Sequence, residues 1–259
     1  MRCKIITTCQ RKGGVGKSTS TLNLANVFAE RGKRVLIIDL DDQQNTSKSI
    51  SINVESTLTI EDLLLNDEIT LNQVTIKSDW DKVFLLPSSA NLSGTIKHLD
   101  GELGGHLILK EKLKDNEYFD FILIDTSPSL NILTINALCA SDYMFIPLSS
   151  KFFSMHGLQQ TIGSFKKVQS RLNENLKFLG IAIVNHDQRN ALANEVIEKI
   201  KAKYGKETFN TIIGINIKIE EAQVKKQSIL TYASNDRGAE QYRKLGVEIL
   251  NRINLNHIS

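Results

Sequence analysis

The chain has 259 residues, of which 41% are hydrophobic, so it can bury one sizeable core and we predict a single domain over residues 1–259. Its apolar runs are far shorter than the roughly 20 residues that a helix needs to cross a bilayer, which excludes a transmembrane helix. Residues 1–129 carry 15 Lys and Arg against 18 Asp and Glu, whereas residues 130–259 carry 17 against 11, and this basic C-terminal half fits either a polyanionic partner or a solvated surface.

The first apolar run, Ile5–Cys9, is cut short by Arg11 and Lys12, and no small-residue cleavage site follows it. We therefore predict a first strand of a cytoplasmic protein rather than a leader sequence. The chain has three cysteines, and because they lack the spacing of metal ligands we expect reduced, buried thiols. They are Cys3, Cys9 and Cys139.

Short apolar runs alternate along the chain with segments of helical period. Such runs are typical of strands that helices cover on both faces, so we predict an α/β fold with a doubly wound, mostly parallel sheet of about seven to eight strands. The predicted strands are Lys4–Cys9, Arg34–Leu40, Lys82–Leu86, Phe119–Asp125, Tyr143–Leu148, Phe178–Val184 and Thr208–Ile213.

Helix signals follow the first two strands. An apolar helical face, marked by Leu22, Ala25 and Phe28, precedes Gly32, which is expected to end that helix. Thr59 stands three residues before Asp62, the spacing of a capping box. All three prolines are predicted to lie at or just beyond the C-terminal ends of strands, where this architecture places its ligand loops. They are Pro87, Pro128 and Pro147.

A glycine-rich segment lies between the first predicted strand and the first predicted helix. This context is that of a phosphate-binding loop, in which backbone N–H groups and the helix N-terminus converge on phosphate oxygens. Lys17 is then expected to reach the β and γ phosphates, and Ser18 to offer its hydroxyl to Mg²⁺. Arg11 stands where the simple pattern has its first glycine, and Lys12 opens the loop. The predicted nucleotide-binding residues are Lys12, Gly13, Gly14, Val15, Gly16, Lys17, Ser18 and Thr19.

Carboxylates follow two of the predicted strands. Asp125 ends the apolar run Phe121–Ile124, which is the placement of a Walker-B carboxylate that orients Mg²⁺. Asp39 and Asp41 occupy alternating positions after the second strand, so both can point to the same side. We expect one of them to position the attacking water.

Together these segments resemble the ParA group of deviant Walker ATPases, which partition plasmids and chromosomes. The resemblance covers nearly the whole chain and implies the P-loop NTPase fold. Its motifs here are 12–19 (KGGVGKST), 39–43 (DLDDQ), 124–130 (IDTSPSL), 133–138 (LTINAL), 146–148 (IPL), 187–189 (DQR) and 216–222 (NIKIEEA).

The resemblance implies a role for each matched residue. Lys12 would be the signature lysine that reaches the nucleotide of a facing subunit, and Lys17 would bind phosphates within its own subunit. Asp41 would position the hydrolytic water, with Asp39 as an accessory acid. Lys12, Lys17, Asp41 and Asp125 would thus be the catalytic residues, and Ser18, Asp41 and Asp125 would hold the metal.

Adenine contacts in the family come partly from the loop after the sixth strand, here Asn185–Asp187, and from a Pro-Arg-Asn segment that Gly214–Asn216 replaces. We therefore expect Asn185, Asp187 and Asn216 near the base. At three further positions this sequence departs from the family pattern. We expect these departures to affect the switch segments and the hydrolysis rate more than nucleotide binding. They are Asp42 for proline, Ser127 for proline and Lys151 for glutamate.

The implied function is plasmid or chromosome partition by a Mg²⁺-dependent ATPase that is weak alone. ATP would favour a homodimer that binds DNA without sequence preference, and a ParB-like centromere-binding protein would stimulate hydrolysis. We expect a cytoplasmic, nucleoid-associated protein of the family's short form, without an N-terminal DNA-reading domain and without membrane binding. The expected DNA-binding residues are Arg189, Lys218, Lys225 and Lys226.

Two related functions are alternatives. A membrane-cycling ATPase of the MinD type needs a basic amphipathic helix at its C-terminus, but Ile249–Ser259 has one Arg and no Lys. An iron–sulfur carrier of the same superfamily needs cluster-ligating cysteines, and none of the three cysteines matches such a ligand.

Overall fold

A computed structural model describes residues 2–52, 58–150 and 155–255. The departure at Lys151 lies outside these ranges. Eight strands form one sheet: β1 (Lys4–Thr8), β2 (Val35–Leu40), β3 (Ile76–Lys77), β4 (Val83–Leu86), β5 (Phe121–Thr126), β6 (Tyr143–Ser149), β7 (Lys177–His186) and β8 (Thr208–Gly214).

The strand order in the sheet is β3-β4-β2-β5-β1-β6-β7-β8, and every neighbouring pair is parallel except β3 with β4. The predicted doubly wound, mostly parallel fold is therefore confirmed. Because β1 lies between β5 and β6, the loop that follows β1 opens at the centre of the sheet. Ligands of such folds bind at this edge, beyond the carboxyl ends of the strands.

Helices cover both faces of the sheet. They are α1 (Lys17–Glu30), α2 (Asn45–Lys48), α3 (Ile60–Leu65), α4 (Leu71–Val74), α5 (Leu92–Gly101), α6 (Ile108–Leu113), α7 (Ile132–Ala140), α8 (Met155–Arg171), α9 (Ala191–Tyr204), α10 (Ile217–Val224), α11 (Ile229–Tyr232) and α12 (Arg237–Leu255). The predicted capping box is present at the start of α3, where Thr59 N–H donates to Oδ2 of Asp62 at 2.6 Å.

The structure adds one strand to the seven predicted ranges and corrects the position of one proline. The two-residue strand β3 was not predicted, since a run so short has no detectable period. Pro147 lies inside β6 rather than at its end. Phe145 O accepts from Cys9 N, and by strand alternation Pro147 faces the same side two residues later. Because β1 ends at Thr8, no strand there needs the missing N–H of Pro147.

Helix α1 is buried on nearly all sides, because the sheet covers one face and α12 packs against another. Its predicted apolar face is buried, and Gly32, with φ +82°, follows its end as expected. At the contact with α12, a Cβ on Gly246 would collide with Val27. Ile249 and Ile253 of α12 are also buried in the core, so the apolar side of this helix packs within the fold.

No helix among the described residues has the length and apolar character needed to cross a membrane. The three cysteines are free thiols, and burial raises the pKa of both Cys9 and Cys139 to about 11. Cys9 and Cys139 are buried as predicted and remain protonated at neutral pH, whereas Cys3 is only half-buried, contrary to the prediction.

Candidate nucleotide-binding site

The phosphate-binding loop occupies the turn between β1 and α1. Gly14 and Gly16 have φ values of +71° and +85°, a left-handed conformation that favours glycine. At Gly16 a Cβ would also lie 3.2 Å from the Val184 side chain. Gly16 caps α1, whose first residue is Lys17, so the first N–H groups of a 14-residue helix face the loop. This arrangement is suited to binding an anion.

Lys17 is 7% exposed, and its Nζ donates to the carbonyl oxygen of Lys12 at 3.4 Å. Burial raises the pKa of Asp41 and of Asp125, and the positive charge of Lys17 opposes that rise at both carboxylates. A buried lysine in this position supplies a positive charge where the phosphates of a nucleotide would gather.

Asp39 and Asp125 are paired across the neighbouring strands β2 and β5, and both are fully buried. The Thr46 hydroxyl donates to Oδ2 of Asp125 at 2.7 Å. Asp39 accepts from the Ser47 hydroxyl at 2.7 Å, from Ser47 N–H at 2.8 Å and from Asp41 N–H at 3.1 Å. The two carboxylates therefore hold the segment from Asp41 to α2 against the sheet.

Burial raises the pKa of Asp39 to about 7, and the negative charge of Asp125 adds to this rise. Burial likewise raises the pKa of Asp125 to about 6, while the Ser18 and Thr46 hydroxyls oppose the rise. The pKa of Asp41 is also raised, mainly by burial, and the adjacent Asp42 raises it further. Asp42, which stands where the family pattern has proline, thus adds to the rise in the pKa of Asp41.

A magnesium ion fits this donor set. Oδ1 of Asp125 is buried and accepts no hydrogen bond from the described residues. Ser18 and Asp41 line the adjoining cavity. No three His, Cys, Asp or Glu side chains within the described ranges form a metal cluster of their own. A Mg²⁺ ion here would take its remaining ligands from phosphate and water, as is usual for this cation in phosphate sites.

A cavity of about 330 Å³ extends from the loop, a volume within the usual range for ligand pockets. Its phosphate-binding end is polar. At the other end it is lined by Val184, Ile213, Ile219 and Tyr242, which offer an apolar surface suited to a flat ring system. Glycines 13, 14 and 16 and residues 17–19 also line this cavity.

The residues expected near the base lie in different places. Asn185, with φ +51°, and Asn216 line the cavity. Asp187 does not, since it lines a neighbouring depression and forms an ion pair with Arg189. The Asn216 side chain caps α10 by accepting from Lys218 N–H at 2.8 Å, and its amide donates to Asp236, so it mainly holds the backbone of the cavity wall.

Lys12 and Val15 line an adjoining depression beside the main cavity, together with His156 and Gln160 of α8. Lys12 is exposed, whereas Val15 is buried. The loop thus divides its residues between two surfaces, with the glycines, Lys17 and Ser18 facing one and Lys12 facing the other.

The expected DNA-binding residues are all exposed, but two of them are already paired. Arg189 Nε lies 3.0 Å from Oδ1 of Asp187, and Lys218 Nζ lies 2.8 Å from Oε2 of Glu221. The charge count also did not single out Arg237. This residue begins α12 and lines the same depression as Arg189.

Sequence reasoning missed the polar side chains that support the site. The Ser88 hydroxyl donates to Asp41 O at 2.7 Å, and Ser88 N–H donates to the Ser47 hydroxyl at 3.0 Å. Thr46 and Gln223 make comparable contacts across the fold. No motif or period marks any of these residues, and only their placement at strand ends or around the cavity would have suggested them.

Comparison with known proteins gives consistent relatives. The family described as "AAA domain" matches residues 3–178. The chromosome-partitioning ATPase Soj of Treponema pallidum is 38% identical over 250 residues, which cover 96% of this chain and 98% of that protein. The chromosome partitioning protein ParA of Caulobacter vibrioides is 32% identical over 257 residues, which cover 96% and 94%.

Among solved structures, a cobyrinic acid a,c-diamide synthase from Mycobacterium smegmatis with bound ATP analog and magnesium has a TM-score of 0.85. It is 25% identical to this chain, and the match covers 98% of this chain and 96% of that one. The partitioning proteins are more similar in sequence and therefore carry more weight for function. The synthase structure has a similar fold and contains the ATP analog and magnesium that match the predicted cofactors.

Proposed function

Because this chain belongs to the ParA family of partition ATPases, we propose that ATP drives two copies of it into a dimer that binds DNA without reading its sequence. ATP and Mg²⁺ are its cofactors, and nucleotide hydrolysis is its general activity. We further propose that hydrolysis depends on Mg²⁺, is slow in the isolated protein and is stimulated by a ParB-like centromere-binding protein. The ATP-bound dimer would then be nucleoid-associated and would serve plasmid or chromosome partition.

The residues around the phosphate end have the properties that this chemistry requires. Phosphoryl transfer to water needs mainly positioning and neutralisation of charge. Lys17 supplies a buried positive charge, and Ser18 with Asp125 provides oxygen atoms for the cation. Asp41 is fixed by hydrogen bonds through its backbone and lines the cavity, which supports the proposal that its carboxylate orients the attacking water.

Dimer formation is proposed from the position of Lys12. Its side chain belongs to the depression beside the cavity and not to the lining of the cavity itself. In that position it would neutralise phosphate charge most effectively on the nucleotide of a facing copy. The single observation that carries the proposal is this division of the loop into two surfaces.

The test is sedimentation of the parent and Lys12→Ala with a slowly hydrolysed ATP analogue and with ADP. We expect the parent to dimerise with the analogue only, and Lys12→Ala to remain monomeric with both. The control is Arg11→Ala, which removes the neighbouring exposed charge. An unchanged dimer fraction in Lys12→Ala would refute the role of Lys12.

DNA binding is proposed for five basic residues of the C-terminal half, which we call the basic surface: Arg189, Lys218, Lys225, Lys226 and Arg237. All five residues are exposed, and Arg189 and Arg237 line one depression. A dimer doubles the phosphate contacts, so DNA affinity would follow the nucleotide state. The buried apolar side of α12 favours this function over a membrane anchor, because that side is already packed in the core.

An Arg189→Glu, Lys218→Glu double variant tests this surface. We expect DNA affinity with the ATP analogue to fall by about tenfold or more, and the slope of log affinity against log salt concentration to shrink by about one for each lost phosphate contact. Lys97→Glu, Lys110→Glu makes the same charge change on exposed residues of the N-terminal half and serves as the control. Equal losses in both variants would mean that only net charge matters.

A further inference from the structure

Three polar residues of α1 contact the region from the end of α10 to the start of α11. Thr19, Asn23 and Asn26 are spaced so that they share one side of the helix, and the two asparagines are buried. Each makes a hydrogen bond with the end of α10, with the joining segment or with the first residue of α11. The contacts are Thr19 Oγ1 to Gln223 Oε1 at 3.3 Å, Ile229 N to Asn23 Oδ1 at 3.0 Å, and Ser228 Oγ to Asn26 Oδ1 at 2.8 Å.

Gln223 differs from the other partners because it also lines the nucleotide cavity. Its Oε1 accepts from Thr19, which follows the proposed Mg²⁺ ligand Ser18, and its Nε2 donates to the Ser49 hydroxyl at 3.0 Å. Ser49 follows α2, the helix that carries Thr46 and its contact with Asp125. One side chain of α10 therefore contacts both the first turn of α1 and the residue that follows α2.

The Thr19 hydroxyl has a single proton to donate. Its contact with Gln223 is long for a bond between two oxygen atoms and joins neutral groups. Thr19 lies in the first turn of α1 and lines the cavity, where an anion is favoured. A phosphate oxygen is an ionised acceptor, and such hydrogen bonds are about twice as strong as neutral ones.

We infer, on the basis of the proposed function, that a nucleotide phosphate takes the Thr19 hydroxyl from Gln223, so that Gln223 relays occupancy of the cavity to α10. Gln223 is thus a positioning residue that no sequence motif marks. Helix α10 carries Lys218, and Lys225 and Lys226 follow it. When Gln223 is released from Thr19, α10 and these lysines lose one of the contacts that fix their position on α1.

The chain contains a reporter for this relay. Trp80 is its single tryptophan, is 7% exposed, and donates from Nε1 to the carbonyl oxygen of Lys226 at 3.1 Å. A displacement of the end of α10 changes this hydrogen bond and therefore the emission of Trp80. The reporter lies outside the cavity lining, so it does not sense the nucleotide by direct contact.

The experiment compares the parent with Gln223→Met and Gln227→Met. Gln227 is exposed on the same segment, so its replacement is a matched loss of an amide. Calorimetry with Mg-ADP and with a slowly hydrolysed ATP analogue measures nucleotide affinity, and Trp80 emission is recorded in separate titrations. Because we expect no dimer with ADP, the ADP titrations test the relay separately from dimer formation. Thermal unfolding checks each variant, and Gln223→Ala is the second variant if Gln223→Met is unstable.

We expect both nucleotides to shift Trp80 emission in the parent and in Gln227→Met, and to leave it unchanged in Gln223→Met. Gln223→Met should bind nucleotide about two- to fivefold more tightly, because a net hydrogen-bond contribution of about 0.5–1 kcal/mol no longer competes for Thr19. A parental emission shift in Gln223→Met, weaker nucleotide binding in it, or no shift in a parent that binds nucleotide would each overturn the relay. A parent that binds neither nucleotide would instead refute the proposed function.

Discussion

The phosphate end of the cavity and the basic surface of the C-terminal half carry charge in opposite ways. At the phosphate end, Asp39 and Asp125 are fully buried, and serine, threonine and backbone groups fix them from several elements. On the basic surface, Arg189 and Lys218 are exposed, and each is paired with a carboxylate two or three residues away. The first region is held by the whole fold and the second by local pairs.

Because of this difference, a count of charged residues in the sequence does not show how many of them are available to a ligand. The count of 17 Lys and Arg in residues 130–259 overstates the number of cations available to a polyanion, since exposed cations such as Arg189 and Lys218 pair with neighbouring carboxylates. Such exposed pairs contribute little to stability, typically below about 1 kcal/mol. Buried polar groups behave otherwise, because a lost partner leaves an unsatisfied group that water cannot reach.

The largest expected effect is on turnover at the phosphate end. Asp41→Ala should keep nucleotide binding but lower the hydrolysis rate by about 100-fold or more, the usual cost of losing a positioned group in the transition state. Asp42→Ala, one residue away and exposed, should retain hydrolysis. Calorimetry measures binding and phosphate release measures turnover. Normal hydrolysis by Asp41→Ala would remove the role given to it.

The next effect is on stability and separates buried from exposed hydroxyls. Thr46→Val keeps the shape of the side chain but leaves Oδ2 of Asp125 without its donor, so we expect a loss of about 1–3 kcal/mol in the free energy of unfolding. Ser129→Ala removes an exposed hydroxyl and should change that free energy by less than about 0.5 kcal/mol. Urea unfolding without nucleotide measures both. Equal losses of unfolding free energy in the two variants would contradict the claim that buried polar groups contribute more to stability than exposed ones.

The smallest effect concerns the paired cations. Asp187→Ala, Glu221→Ala removes the carboxylates beside Arg189 and Lys218, and we expect DNA affinity with the ATP analogue to rise by about three- to tenfold at low salt. This gain in DNA affinity should shrink as the salt concentration rises, because salt screens the charges. Glu111→Ala, Glu117→Ala is the control, since it removes two exposed carboxylates of the N-terminal half. If both double variants gain DNA affinity equally, the ion pairs of Arg189 and Lys218 do not limit DNA binding by the basic surface.

Sequence patterns predicted the parts of the molecule that repeat or that match a motif. Seven strands, the phosphate-binding loop and the position of Asp125 at a strand end followed from apolar runs and glycine spacing. The contacts of Thr46 with Asp125 and of Gln223 with Thr19 did not, because they join residues 79 and 204 positions apart. A single hydroxyl or amide leaves no period in the sequence, and its partner is set by how distant elements meet.

The central position of β1 also determines when the phosphate-binding loop can form during synthesis. Lys4 pairs with Phe121 and Ile6 pairs with Tyr143, so β1 must wait for strands made more than a hundred residues later. Contacts between such distant segments form slowly, because the intervening chain must first be ordered. The loop that follows β1 therefore gains its neighbouring strands only after β5 and β6 have been made.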